Sequence, residues 1–341
     1  MLENFRSLWI PGAYHGRGKG KVFFEGWYLK LVNRDRSARW AVIPGVFQHP
    51  DPQQAHAFIQ VLDGTASQVV YHRYPLDAFQ ASRSDFDLRV GSSRFSAARC
   101  LLDIQGQGQV IQGEITFGDL HPWPVDLFSP GVMGPYGLIP FLQTYHGVLS
   151  LDHSLEGSLV INGRQEEFSG GRGYLEKDWG QTFPRAYIWM QSNHFEKTGV
   201  SLTASVATIP WLGSWFRGFI VGLLLEERIF RFATYLGSKI SRLSLTDSHV
   251  SWTLEGKRRS DPQGRFPGLR LEIQAERGKG GLLSSPELDG MTPRILESLT
   301  ACVDVRLLAL DGGGQTEEIL FQGRGDCAGL EVAGSVADIL D

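Results

Sequence analysis

Cysteine is scarce in this chain: Cys100, Cys302 and Cys327 are the only three in 341 residues. Their spacings match no zinc site, and one thiol stays unpaired in a monomer, so free thiols in a reducing compartment are expected. An excess of basic charge is also missing. The formal net charge is -4, and the densest basic run, Lys257-Arg258-Arg259, reads as a solvated turn. Nucleic acid is therefore not an expected partner. Long apolar runs are absent as well. The stretch Ile209 to Leu225 is broken by Arg217 and several glycines and ends against Glu226-Glu227-Arg228, so it is not read as a membrane-spanning helix. The start, Met1-Leu2-Glu3-Asn4-Phe5-Arg6, lacks a basic region followed by an apolar one, so no secretory leader is read and a cytoplasmic location is expected. Gly-x-Ser-x-Gly, P-loop and dinucleotide fingerprints are missing at any strand–helix junction. Hydrolase, NTPase and dehydrogenase readings lose their support.

What the chain has is turn residues, with 41 Gly and 16 Pro spread along its length and few helical windows. Val22 to Val32 and Trp40 to Phe47 read as a strand pair across Asn33-Arg34-Asp35. Ala57 to Leu62 follows, then Ser84 to Val90, Arg94 to Ala98, Leu101 to Gln105 and Val110 to Phe117. An irregular piece, Gly118 to Pro140, contains too much proline for regular helix or central strand. Strands resume with Gln143 to Leu149 and Leu155 to Ile161, where Asn162-Gly163 is a strong hairpin signal. Ala186 to Asn193, Ser201 to Ile209, Arg217 to Leu225, Ser248 to Glu255, Gly268 to Ala275, Thr300 to Leu308 and Glu317 to Gly325 come later. A short helix is expected only near Arg294 to Leu299. The fold class is all-β, with two consecutive antiparallel barrels of about eight strands each, able to hold one small ligand apiece. The expected domains are 1–140 and 141–341, and a single extended sandwich is the alternative.

One stretch departs from ordinary strand composition: Gly173-Tyr174-Leu175-Glu176-Lys177-Asp178-Trp179-Gly180, continuing through Phe183-Pro184-Arg185 to Trp189-Met190-Gln191-Ser192-Asn193-His194-Phe195. Phe23-Phe24-Glu25-Gly26-Trp27-Tyr28 echoes its glutamate-then-tryptophan order. With Tyr14-His15 and Tyr145-His146-Gly147-Val148, these segments resemble the tocopherol cyclase family. Weaker likeness runs on through Pro286, Glu297-Ser298-Leu299 and Ala328-Gly329-Leu330-Glu331. The resemblance implies a pair of lipocalin-like barrels and cofactor-independent closure of a chroman ring on a prenylated hydroquinone, as in vitamin E synthesis. Plant members carry a plastid transit peptide; this chain reads as a bacterial-type member without one. The implied partner is a prenylated lipid substrate.

Ring closure adds a phenolic O–H across a trisubstituted alkene. It needs an acid, a dry pocket that tolerates a tertiary cation, and an acceptor for the phenol proton. Glu25 beside Trp27 and Tyr28, and Glu176 and Asp178 beside Tyr174 and Trp179, offer buried carboxyls next to cation-stabilising rings. In a strand, Glu176 and Asp178 share one face and Lys177 points away, which suggests a carboxylate pair whose pKa values split. Glu25 has a second reading, a structural carboxylate paired with Lys30 or Arg185. The candidate catalytic residues are Asp178, Glu176, Glu25 and His15. Trp27, Tyr28, Tyr145, His146, Tyr174, Trp179, Trp189, Gln191, Asn193 and His194 are candidate substrate contacts. The histidines are too dispersed for a metal site to be expected. Ile209-Pro210-Trp211-Leu212-Gly213-Ser214-Trp215-Phe216 is apolar enough to serve as a membrane-touching lip between Trp211 and Phe216.

Overall fold

Alternation of apolar and polar residues, punctuated by glycine turns, builds the chain into two antiparallel sheets. The computed structural model describes residues 9–16, 21–127, 129–140, 142–211, 213–335 and 337–340. Residues 1–8, on which the leader reading rests, lie outside them.

The first sheet starts with four strands: β1 (Phe23–Val32), β2 (Arg39–Gln48), β3 (His56–Asp63) and β4 (Gln68–Tyr74). Then come β5 (Phe79–Ala81), β6 (Asp87–Val90), β7 (Ser93–Ser96), β8 (Arg99–Gly106) and β9 (Gln109–Gly118). It is completed by β10 (Thr144–Ile161), β11 (Arg164–Glu167) and β12 (Gly171–Gly180). The spatial order is β4-β3-β2-β1-β12-β10-β9-β8-β7-β6-β5, with β11 paired to β10. Asn162 and Gly163 form the β10–β11 turn, both at positive φ as a two-residue hairpin turn requires.

The second sheet contains β13 (Ala186–Ser192), β14 (His194–Phe195), β15 (Ser201–Trp211), β16 (Ser214–Leu225) and β17 (Arg228–Ala233). It continues with β18 (Lys239–Leu245), β19 (His249–Lys257), β20 (Gly268–Glu276), β21 (Gly281–Glu287), β22 (Gly290–Leu310) and β23 (Thr316–Gly334). Its main order is β17-β16-β15-β13-β23-β22-β20-β19-β18. The residues expected to be helical, Arg294 to Leu299, lie within β22 instead. Its register against β23 shifts between Ser298 and Ala301, a bulge that masks the strand period in the sequence.

The two sheets share one topology. In each, the last long strand inserts between the first strand and the long strand that precedes it: β12 between β1 and β10, and β23 between β13 and β22. This relocates the internal echo. The Glu25–Trp27 and Glu176–Trp179 segments do not belong to two halves; they are hydrogen-bonded neighbours, with Glu25 opposite Trp179 and Tyr28 opposite Glu176.

The expected boundary at 140/141 is corrected for the same reason. Because β10 and β12 pair in the first sheet, one unit is Met1–Phe183 with Gly281–Ile295, and the other is Pro184–Gly280 with Leu296–Asp341. Each unit has its own apolar core. In the first, Trp27, Leu29, Leu31, Leu175 and facing aliphatics pack together. In the second, Ile188, Met190, Leu202, Ala204 and Val206 pack against Trp252 and its neighbours. The cysteines are free thiols, Cys100 and Cys327 buried and Cys302 partly exposed. No described helix is long and apolar enough to cross a membrane.

Candidate active site

The candidate residues of the first unit sort onto opposite faces of the β1–β12–β10 region. Odd positions of β1 and β12 face the core, carrying Trp27, Leu29, Leu31 and Leu175. Glu25, Lys177 and Trp179 follow that parity. Even positions carry Tyr28, Lys30, Tyr174, Glu176 and Asp178, and His146 of β10 is the cross-strand partner of Asp178.

On the core side, Glu25 and Lys177 are both 0% exposed, and Lys177 Nζ lies 2.7 Å from Glu25 Oε1. Lys177 also donates to the carbonyl of Ala13 and sits 2.8 Å from His15 Nδ1. The backbone N–H of His15 donates to both carboxylate oxygens of Glu25, at 3.0 and 2.9 Å. Lys177 Nζ lies 5.0 Å from the Trp27 ring centre and 4.6 Å from that of Trp179. Trp179 stacks on His15 at 4.2 Å and on Tyr145 at 5.5 Å. Burial alone would raise the Glu25 carboxyl, but the Lys177 charge and the His15 contacts outweigh it and hold it below the ordinary glutamate value. Burial pulls Lys177 down, opposed by Glu25, to about 8. At neutral pH this is an ion pair. Glu25 is therefore reassigned from candidate acid to structural carboxylate, with Lys177 as its cation rather than Lys30 or Arg185. With His15 it pins the segment around Pro11–His15 to the sheet.

The other side is arranged differently. His146 Nδ1 is 2.9 Å from Asp178 Oδ1, and its Nε2 is 3.5 Å from Glu176 Oε2. The Tyr174 hydroxyl donates to Glu176, and Tyr28 meets Tyr174 edge to face. The expected carboxylate pair thus has an imidazole between its members. Burial pushes His146 down, yet the charges of Glu176 and Asp178, with the Asp178 hydrogen bond, more than reverse that and raise it to about 9. The side chains of His146 and Asp178 are 16% and 26% exposed, so the cluster is reachable. Bulges between Val148 and Ser150, and between Ser150 and His153, bend β10 just past the cluster. Gly26 stands opposite Asp178. A Cβ there would meet Ile43, Phe58 and the Pro44 carbonyl oxygen at 3.7, 3.8 and 4.0 Å, ordinary contact distances, so packing does not demand glycine.

His146, Glu176 and Asp178 also have donor atoms within 4.8 Å of one another, close enough to hold a metal ion. One ring nitrogen with one oxygen from each carboxylate would be the donor set for such an ion; as placed, each ring nitrogen is paired with its own carboxylate, which also lets the three groups share a proton.

In the second unit, Tyr187, Trp189 and Gln191 share the face of β13 opposite its core residues Ile188 and Met190. The Tyr187 hydroxyl donates to Glu331 Oε2 at 2.7 Å. Asn193 and His194 follow, both buried. Two contributors escaped the sequence reading: Lys177 as the partner of Glu25, and His146 as the centre of the carboxylate pair. Its cross-strand position was the missing signal.

The protein is thus of the all-β class, two antiparallel sheets with an acid–base cluster set into one of them. The family model described as tocopherol cyclase-like matches residues 139–334, more than half of the chain, and the protein belongs to that family. The matched part includes His146, Glu176, Asp178 and Gln191 and stops short of His15 and Glu25. The tocopherol cyclase, chloroplastic, of Zea mays is 24% identical over 201 residues, covering 57% of this chain and 40% of the maize protein. The probable tocopherol cyclase, chloroplastic, of Oryza sativa subsp. japonica is 23% identical with the same coverage. The matched region is thus well under half of these relatives. Among solved structures, CghA aligns with a TM-score of 0.55 at 12% identity, covering 96% of this chain and 95% of its own. CghA with Sch210972 aligns with a TM-score of 0.54 at the same identity and coverage. At that identity the likeness concerns the fold alone.

Proposed function

We propose that the protein is a cofactor-independent cyclase, an intramolecular lyase or isomerase, that closes a chroman ring on a prenylated hydroquinone. The observation that carries this reading is the His146–Glu176–Asp178 cluster, which keeps a proton on an imidazole between two carboxylates. An imidazolium held near 9 is a weak acid, unable to turn an isolated alkene into a free cation. It serves if addition is concerted, with the phenol oxygen attacking as the proton arrives.

In that sequence, Asp178 relays the His146 proton to the less substituted alkene carbon. The phenol oxygen bonds to the more substituted carbon, and the phenol proton returns to the cluster through Glu176. The alkene π bond and the O–H bond break, while one C–H and one C–O bond form. The cluster ends with the proton it began with, and no electrons are exchanged. The Tyr28 and Tyr174 rings beside Glu176 stabilise positive charge as it develops, and the Tyr174 hydrogen bond orients the Glu176 carboxylate.

A second reading, hydration or cyclisation of a terpenoid alkene, draws on the partial exposure of Asp178, which admits water in place of the phenol. A non-catalytic lipid carrier is less well supported. Glu176 and Asp178 pair with an imidazole that is partly exposed and reachable, where a purely structural ion pair such as Glu25–Lys177 is sealed from solvent. For a prenylated lipid, the β15–β16 hairpin offers an approach to a membrane surface. Residues beyond Ala207 on β15 and before Ile220 on β16 extend past the ladders of β13 and β17, and Trp215 near the tip is 43% exposed.

The test is turnover of a phytylated trimethylhydroquinone in deuterated, ¹⁸O-enriched water, followed by mass spectrometry. Cyclisation gives a product with one carbon-bound deuterium and no ¹⁸O; hydration gives ¹⁸O incorporation. No product from either this substrate or a plain terpenoid alkene would overturn both enzymatic readings.

A further inference from the structure

Two carboxylates around one imidazole leave a charge unbalanced. Even with His146 protonated, Glu176 and Asp178 carry one more negative charge than that single cation offsets. Lys177, between them in sequence, is committed to Glu25 on the other face of β12. The trio also supplies a mixed donor set, one imidazole nitrogen and two carboxylate oxygens within 4.8 Å of one another, and among the described residues it is the only such trio of His, Cys, Asp or Glu. Its members come from paired strands in fixed register: Glu176 and Asp178 alternate on one face of β12, and His146 stands opposite Asp178 on β10. The Tyr174 hydroxyl donates to Glu176, the kind of outer hydrogen bond that orients a ligating carboxylate. Donors around a tetrahedral zinc ion lie about 3.4 Å apart, so a swing of one carboxylate closes the set. Partial exposure of His146 and Asp178 gives a hydrated ion its route and leaves a coordination position for water.

We infer that His146, Glu176 and Asp178 form an inhibitory site for a divalent transition-metal ion of the zinc type. One nitrogen and two oxygens suit zinc and its first-row neighbours, whereas magnesium prefers oxygen donors alone and keeps its waters. The ion takes the place of the shared proton, which leaves to solvent. One ring nitrogen and one oxygen from each carboxylate become ligands, and the proton they held is no longer available to a substrate. Two negative charges then meet a double positive charge, and the excess is removed. Binding of the ion rests on the donor set; the loss of turnover rests on the functional reading above.

The experiment titrates the chelator-treated full chain, free of added tags, with zinc chloride and separately with magnesium chloride. Calorimetry reads binding, thermal unfolding reads stabilisation, and nuclear magnetic resonance follows the His146 ring. The wild type is expected to bind one zinc ion per chain, to unfold at a higher temperature with zinc, and to show shifted His146 signals. Magnesium at the same concentration is expected to do none of these. Tyr174→Phe should weaken zinc by about 10–100-fold, the usual cost of losing an outer partner, and His146→Asn, Glu176→Gln and Asp178→Asn should each weaken it at least as much. Turnover of the phytylated trimethylhydroquinone is expected to fall as zinc occupies the site and to return with a chelator. A folded wild type that binds no zinc overturns the inference. So does zinc that leaves the His146 signals unmoved, or that binds all three ligand variants as tightly as the wild type. Magnesium bound as well as zinc overturns it too, marking an oxygen-only acidic site. Zinc held at the cluster while turnover continues overturns the inhibition. Zinc bound there in a protein that turns over no substrate removes the cyclase reading and leaves the ion site standing. Turnover in a protein that binds no zinc does the reverse.

Discussion

Lys177 and its neighbours Glu176 and Asp178 sit one residue apart on β12, yet they belong to two different kinds of chemistry. Facing the core, Glu25 is met by a lysine and a backbone N–H, the lysine lies over two tryptophan rings, and the pair is sealed from solvent. Facing the other way, two carboxylates of the same strand share a histidine. A lysine sealed from solvent against it makes a buried carboxylate a structural pin. A partly exposed histidine, raised to about 9 by two carboxylates, makes them part of a proton store. Strand alternation keeps the two functions apart without any separation in sequence.

The contrast breaks most sharply at the cluster. Asp178→Asn, Glu176→Gln and His146→Asn are each expected to lower turnover by about 10²–10⁴-fold while the sheet stays folded, as for loss of a positioned acid or base. Steady-state rates with circular dichroism check this, and full turnover in all three variants would remove the cluster from the mechanism. The core side should respond in stability instead. Lys177→Met leaves Glu25 buried without its cation and is expected to cost about 3–5 kcal/mol, much of it recovered in the double variant with Glu25→Leu. Denaturant unfolding of the single and double variants measures the recovery.

A pH dependence sharpens the comparison further. His146 binds its proton more tightly folded, at about 9, than at its ordinary 6.5. Its stabilising contribution is therefore complete below about 6.5 and lost as pH rises through about 9, amounting to no more than about 3 kcal/mol. Unfolding measured across that window should show the decline in the wild type and a flatter profile in His146→Asn. Turnover should fall over the same range. A smaller effect is expected at the β15–β16 hairpin, where Trp215→Ser should weaken sedimentation with lipid vesicles several-fold and leave unfolding unchanged.

The fold class was legible because short strands bounded by Gly, Pro and Asn-Gly turns are written locally. The parity of Glu176, Lys177 and Asp178 was legible for the same reason. Long-range pairing was not. Nothing near Glu25 announces that β12 is its neighbour, so neither Lys177 as its partner nor the pairing of the two Glu-Trp segments can be read from the sequence. The true repeat is one of topology, in which β13–β23 corresponds to β1–β12 and an aromatic faces a glutamate in both, Tyr28 with Glu176 and Trp189 with Glu331. Likewise the Arg294 to Leu299 segment gave a helical impression because a bulge disturbs its period of two.

The most direct measurement is a titration of the His146 ring by nuclear magnetic resonance. A proton store between Glu176 and Asp178 predicts a midpoint near 9 in the wild type and a clearly lower one in Asp178→Asn. A midpoint at or below 6.5, unmoved by loss of Asp178, would contradict it.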